Sequence, residues 1–180
     1  MKGIRFRYIF VMLGSMALLA LSSLAQSTAE NQKAATQPAN DVLVVQGVGL
    51  REIKIDRDEL AAMPRRVVKV KDHDGEMSSF EGVMVGDLLK KAGFTFGQHF
   101  RGPRMADYLI AQAADGYRVV FALPELDTEF SERIVIVADR CDGKPLSERD
   151  GPFRMVVSDE KKHARWVRQT TSLTVATATP

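Results

Sequence analysis

Three of the four Asp-Gly pairs in this chain lie between short strand-like segments, and they constrain its fold more than any other feature. They are Asp74-Gly75, Asp115-Gly116 and Asp142-Gly143. An Asp-Gly pair between two alternating apolar segments is a strong hairpin signal, because tight hairpin turns require positive φ angles that these residues tolerate. The sequence therefore predicts a fold built mainly from antiparallel strand pairs.

The remaining patterns predict the other elements. Asp56 and Glu59 have the spacing of a helix-opening capping box, and a second helix from Val85 to Ala92 has apolar residues at i, i+3, i+4 and i+7 and ends at Gly93. Strands are predicted at 42–46, 52–55, 67–70, 78–82, 108–113, 117–122, 134–138, 153–157 and 170–175. The continuously apolar segment 134–138 is expected to be central. These elements favour a single α+β domain with a mixed, mostly antiparallel sheet and a few short helices.

The N-terminal segment has the layout of a secretory signal peptide. Basic residues precede an apolar run of about fourteen residues and a small-x-small site that ends at Ala25. We expect a signal peptide over 1–25, a flexible polar linker over 26–40 and a domain over 41–177. Phe6 separates Arg5 from Arg7, so the signal is of the Sec type rather than the twin-arginine type. The expected location is periplasmic or secreted, without stable membrane insertion; an uncleaved membrane anchor is the alternative.

Charge and cysteine content narrow the classes of partner. Removing residues 1–25 leaves 22 basic and 23 acidic residues, a net charge of −1. This balance does not favour nucleic acid as a partner. Cys141 is the only cysteine, so the chain cannot form an internal disulfide.

The stretch 151–169 is the strongest candidate for a binding site. Phe153, Met155 and Val157 alternate with Arg154 and predict a strand that projects Arg154 from the face opposite the core. A cluster of basic side chains around Trp166 follows, namely Lys161, Lys162, His163, Arg165 and Arg168. Extended backbone at Arg165-Trp166 would turn Trp166 into the core and Arg165 towards an anion that Arg154 also reaches. The alternative is a solvated loop between edge strands, with its charges facing water.

Five motifs occur in an order that resembles the molybdopterin-binding oxidoreductase domain of the sulfite oxidase family. They are FEGVMVGDLL at 80–89, ADGYRVVF at 114–121, DGKPL at 142–146, GPFRMVV at 151–157 and RWVR at 165–168. The resemblance covers most of residues 42–176 and implies a mixed α+β fold. It also implies molybdopterin as a cofactor, with Arg154 and Arg165 at positions that match the family motifs. Together with Lys161 and His163 of the basic cluster, they are the candidate cofactor-binding residues for a pterin phosphate or another anion.

One element of the family pattern is missing. Family enzymes ligate molybdenum with a cysteine near the end of the strand before the first motif, whereas residues 66–73 contain none. Cys141 lies beside the later DGKPL motif and is expected to pack or to lie near a hairpin tip. His73, between two aspartates, is either an alternative ligand or a turn residue. We therefore expect no metal-ligating residues and little molybdenum.

Three functions remain open at this level. The first is an exported oxidoreductase of this family, and the second is a non-catalytic module that binds an anionic small molecule or an envelope partner protein. A structural accessory of a larger envelope complex is a third alternative. The sequence contains no Ser/His/Asp set, glycine-rich phosphate loop or metal-spaced Cys/His cluster, so it identifies no catalytic residue.

Overall fold

The computed structural model of the protein describes residues 41–72 and 74–179. The expected signal peptide (1–25), the expected linker (26–40) and His73 lie outside the described residues, so these expectations stay predictions. No helix in the described part of the chain is long and apolar enough to cross a membrane.

Short strands dominate the described residues. The strands are β1 Val42–Gly47, β2 Ile53–Asp56, β3 Arg66–Lys71, β4 Met77–Met84, β5 Asp107–Ala113, β6 Arg118–Ala122, β7 Val135–Cys141, β8 Lys144–Pro145, β9 Arg154–Val157 and β10 Thr170–Thr177. The α-helices are α1 Arg57–Ala61 and α2 Val85–Lys91. Short 3₁₀ turns occur at Gly97–His99, Gly102–Ala106, Leu123–Leu126 and His163–Arg165.

The strands form two sheets. The first has the order β2-β1-β10-β5-β6, in which only the β1–β10 pair is parallel among the described strands. In the second, β3, β4 and β7 are neighbours, and both β8 and β9 pair with β7. The predicted mixed, mostly antiparallel α+β fold is confirmed. Its division into two sheets was not predicted, because local patterns do not show which distant strands pair.

The local helix signals are confirmed. The side chain of Asp56 accepts a hydrogen bond from the Glu59 N–H at 2.8 Å, which completes the capping box of α1. Helix α2 buries Val85, Leu88 and Leu89 and packs against β4 and β7. These contacts explain the apolar spacing of the first motif, because that face of α2 covers the second sheet.

Gly82 allows β4 and β7 to approach each other. A Cβ atom at this position would lie 2.0 Å from the carbonyl oxygen of Val137. The register of the two strands also shifts between Glu81 and Gly82. The glycine of the FEGV motif is therefore required for strand packing, independently of any ligand.

Strand β7 lies between β4 and β9, as the apolar run 134–138 predicted. All four residues of β9 are buried, on both faces of the strand. Arg154 was expected to project from an open face, and this expectation is wrong. The side chain is 2% exposed, so its charge must be compensated inside the protein.

Candidate functional site

Arg154 is held by two carboxylates. Its Nη2 lies 2.9 Å from Oδ1 of Asp72, just after β3, and its Nη1 lies 3.8 Å from Oδ1 of Asp150. The guanidinium also lies over the rings of Phe80 and Trp166, at 4.9 and 5.4 Å from their centroids. Paired charge and aromatic contacts make burial of this arginine tolerable. Arg154 therefore links β9 to the end of β3.

Arg165 lies in a different set of contacts. Its guanidinium pairs with Glu125 and Glu160, donates to the carbonyl oxygen of Val120 at 3.3 Å and lies 4.5 Å from the centroid of the Phe121 ring. These contacts fasten the 158–165 segment to β6 and the turn that follows it. The structure does not bring Arg165 and Arg154 together on one anion. A role for Arg165 in ligand binding stays a prediction.

Trp166 enters the core as predicted, although the backbone before it differs. Residues 163–165 form a 3₁₀ turn rather than extended chain, and Trp166 is 5% exposed. Its ring meets Phe80 edge to face at a centroid distance of 5.7 Å. The other contact is a stack with His163 at 3.7 Å and an interplanar angle of 18°. The turn thus places His163 over the one tryptophan of the chain.

A first cleft, here called the tryptophan cleft, has a volume of about 400 Å³. Arg154, His163, Trp166 and Arg168 line it, together with residues 113, 115 and 117 of the β5–β6 hairpin. Among the described residues, the buried Nε of Arg154 and Nε1 of Trp166 have no hydrogen-bond partner. Two buried donors without an acceptor cost free energy in the folded state.

A second cleft, here called the lysine cleft, is larger, at about 790 Å³. One wall is the end of β3 and the β3–β4 turn, and the other is the segment 158–163. Its basic lining residues are Lys69, Lys71, Lys161 and Lys162, and His163 lines both clefts. The predicted residues Lys161 and His163 therefore share this cleft, while Arg154 and His163 share the tryptophan cleft.

The lysine cleft has an excess of positive charge. Within residues 41–72 and 74–179, arginines form every ion pair except that of Lys90 with Asp87, so the four lysines of the cleft form none. The two carboxylates that line the cleft, Asp72 and Glu160, pair with Arg154 and Arg165. The positive potential is therefore available to an anion.

Sequence reasoning missed Lys69 and Lys71 as site residues. Their alternation with Val68 and Val70 was visible and indicated that both lysines lie on one face of a strand. Their proximity to Lys161 depends on how the segment after β9 returns to β3. The path of that segment is set by contacts between residues far apart in the sequence, which no local sequence pattern indicates.

Cys141 is not a thiolate at neutral pH. It ends β7 at the Asp142-Gly143 turn, as expected for a residue near a hairpin tip. Burial, reinforced by the neighbouring carboxylate of Asp142, raises the pKa of its thiol to about 11. In the described part of the chain, no three His, Cys, Asp or Glu side chains cluster to hold a metal ion. The donor set that a soft metal prefers is thus not assembled by these residues.

Comparisons with known proteins identify the fold. No family model and no curated relative matches the sequence. The structure is similar to the crystal structure of the sulfane dehydrogenase SoxCD from Paracoccus pantotrophus, with a TM-score of 0.58 and 16% sequence identity. The similarity covers 74% of this chain and 37% of that chain. This chain therefore shares the mixed α+β fold of one part of an enzyme chain, in agreement with the fold that its resemblance to the sulfite oxidase family implies.

Proposed function

We propose that this protein is an exported, non-catalytic binding module that holds a phosphate-bearing small molecule, such as a pterin phosphate, in the lysine cleft. The observation that carries the proposal is the group of four lysines, without ion pairs among the described residues, around one cleft of about 790 Å³. Lysine ammonium groups bind phosphate as mobile point charges, so they do not need the fixed geometry of an arginine pair.

The size and surroundings of the cleft support a small organic anion. Ligand sites of about 300–1,000 Å³ hold molecules of cofactor size. His163 connects the lysine cleft to the tryptophan cleft, where the Nε of Arg154 and Nε1 of Trp166 lack acceptors among the described residues. The two clefts are therefore neighbours, and a ligand whose anionic group lies in the lysine cleft would have its organic part beside His163.

The residues of the lysine cleft fit molybdopterin only in part. The lysine cleft suits its phosphate-bearing organic part, and Lys69, Lys71, Lys161 and Lys162 would hold the phosphate. The metal-binding part fits less well, because residues 66–72 contain no cysteine and the Cys141 thiol is protonated at neutral pH. When bound with its metal, this cofactor supplies redox chemistry; the residues described here supply charge and hydrogen bonds.

An oxidoreductase is the second candidate function, and its supporting observation is the fold shared with a sulfane dehydrogenase chain. Metal content separates the two candidates. We predict that protein purified from its native compartment contains far less than one molybdenum per chain, because the cysteine ligand is missing from residues 66–73. Elemental analysis checks this, and near-stoichiometric molybdenum would support the oxidoreductase and contradict a non-catalytic role.

The binding proposal predicts a ligand-dependent melting temperature. A pterin phosphate at about one hundred times its Kd adds about 2.7 kcal/mol of stability, which corresponds to a Tm increase of about 5–10 °C for a domain of this size. The double variant Lys161→Ala, Lys162→Ala is expected to lose at least half of that increase, because two of the cleft's four cations are removed. Thermal melts at low and moderate salt measure the effect.

A matched control is the double variant Lys90→Ala, Lys91→Ala. It removes two adjacent lysines at the end of α2, outside both clefts, and should keep the full increase. Equal ligand shifts in the wild type and the cleft variant would refute binding at the lysine cleft.

A further inference from the structure

Strand β3 is an edge of the second sheet. Among the described residues, it pairs with β4 and with no other strand. The Asp72 N–H donates to the carbonyl oxygen of Glu76 across the hairpin at 2.8 Å. In an antiparallel pair, residues two apart bond towards the same neighbour, so Val70 and Val68 also face β4. The main-chain groups of Val67, Lys69 and Lys71 therefore point away from the sheet.

The side chains along this edge combine exposed apolar and basic groups. Val67 is 54% exposed, and Met77, which lies opposite Lys71 in the register, is 61% exposed. Lys69 and Lys71 are exposed on the same face as Val67, because all three occupy alternate positions. Lys161 and Lys162 border the lysine cleft that begins at the end of this strand. A chain placed beside β3 would meet positive charge and an apolar contact.

We propose that the edge of β3 docks an extended, acidic segment of a partner protein, which adds to the sheet as a further strand. Main-chain hydrogen bonds to residues 67, 69 and 71 would supply affinity. Carboxylates at alternate positions of the segment, about 6.6 Å apart, would lie beside Lys69 and Lys71. An apolar residue two positions further along would contact Val67.

The positive charge of the β3 edge favours an acidic partner segment over a second copy of the chain. Two β3 edges placed side by side would bring their lysines together, and like charges on neighbouring strands are destabilising. The same lysines attract an acidic strand. The edge is thus protected against self-association while it remains open to a partner of opposite charge.

A peptide titration tests the docking of a strand. The probe is an acetylated, fluorescently labelled peptide that carries glutamate at two successive alternate positions and valine two positions further along, and its partner probe carries N-methyl groups on every second residue. We expect saturable binding of the first peptide by fluorescence anisotropy and at least about tenfold weaker binding of the second, because N-methylation removes the main-chain donors without changing charge. Equal affinities would overturn the proposal, as would the absence of binding.

The protein offers a matched pair of variants. Val67→Pro removes an outward N–H, which edge strands tolerate, whereas Val67→Thr keeps that donor and the branched shape. Val67→Pro should lower the affinity for the unmethylated peptide at least about tenfold, whereas Val67→Thr should leave that affinity unchanged. If Val67→Pro fails to fold, the N-methylated peptide still tests the main-chain hydrogen bonds to β3 in the wild-type protein. Thermal melts of the same variants with and without a pterin phosphate measure binding at the lysine cleft separately. Failure of the edge proposal can therefore be distinguished from failure of the proposed binding function.

Discussion

Replacing Arg154 with alanine is expected to lower the free energy of unfolding by about 3–5 kcal/mol, the range seen when one partner of a buried ion pair is removed. Arg154 is 2% exposed, and its loss leaves the carboxylate of Asp72 without this guanidinium. The substitution also removes its contacts with the rings of Phe80 and Trp166. We therefore expect this arginine to stabilise the junction of β9, β3 and the segment 158–166.

Urea denaturation of the variant measures this effect, with Arg57→Ala as the matched control. Arg57 also pairs with an aspartate, Asp41, but the two side chains are 48% and 67% exposed. Exposed pairs contribute less than about 1 kcal/mol. If Arg154→Ala lowers the free energy of unfolding no more than Arg57→Ala does, the buried ion pair is not a main stabilising contact.

Trp166→Ala is expected to destabilise the protein by about 3–5 kcal/mol in the absence of any ligand, as large-to-small aromatic substitutions in cores do. Trp166 is 5% exposed and contacts Phe80 edge to face at 5.7 Å. Its loss would also remove the ring on which His163 stacks at 3.7 Å. The destabilisation should therefore extend to the segment that forms one wall of the lysine cleft.

Trp166→Phe separates ring packing from the indole N–H. Nε1 has no hydrogen-bond partner among the described residues, so its removal breaks no hydrogen bond within them. Because phenylalanine keeps a ring in the core, Trp166→Phe should lower the free energy of unfolding much less than Trp166→Ala does. Urea denaturation of both variants provides the comparison. Equal losses of unfolding free energy in Trp166→Phe and Trp166→Ala would show that ring packing is not the main contribution of Trp166.

Much of the fold was predictable because its signals are local. The capping box of α1 needs only Asp56 and Glu59, and the β5–β6 hairpin needs Asp115-Gly116 between two alternating segments. The helical spacing of α2 likewise showed which face would be buried. Each of these features depends on residues within a few positions of one another.

The candidate site was less predictable because its contacts are long-range. The burial of Arg154 depends on Asp72, which is 82 positions away, and Arg165 meets Glu125 from 40 positions away. Sequence patterns indicated basic residues near Trp166 but not which carboxylates would neutralise them. They also could not show that Lys69 and Lys71 would face Lys161 and Lys162 across one cleft.

The central claim is that the lysine cleft binds a phosphate-bearing anion, and an NMR titration of ¹⁵N-labelled protein with a pterin phosphate tests it most directly. The account predicts saturable amide shifts concentrated at residues 69–72 and 158–163, the two walls of the cleft. It also predicts that added salt weakens these shifts, since exposed charges are screened. Saturable shifts confined to other surfaces, or no saturable shifts at all, would contradict it.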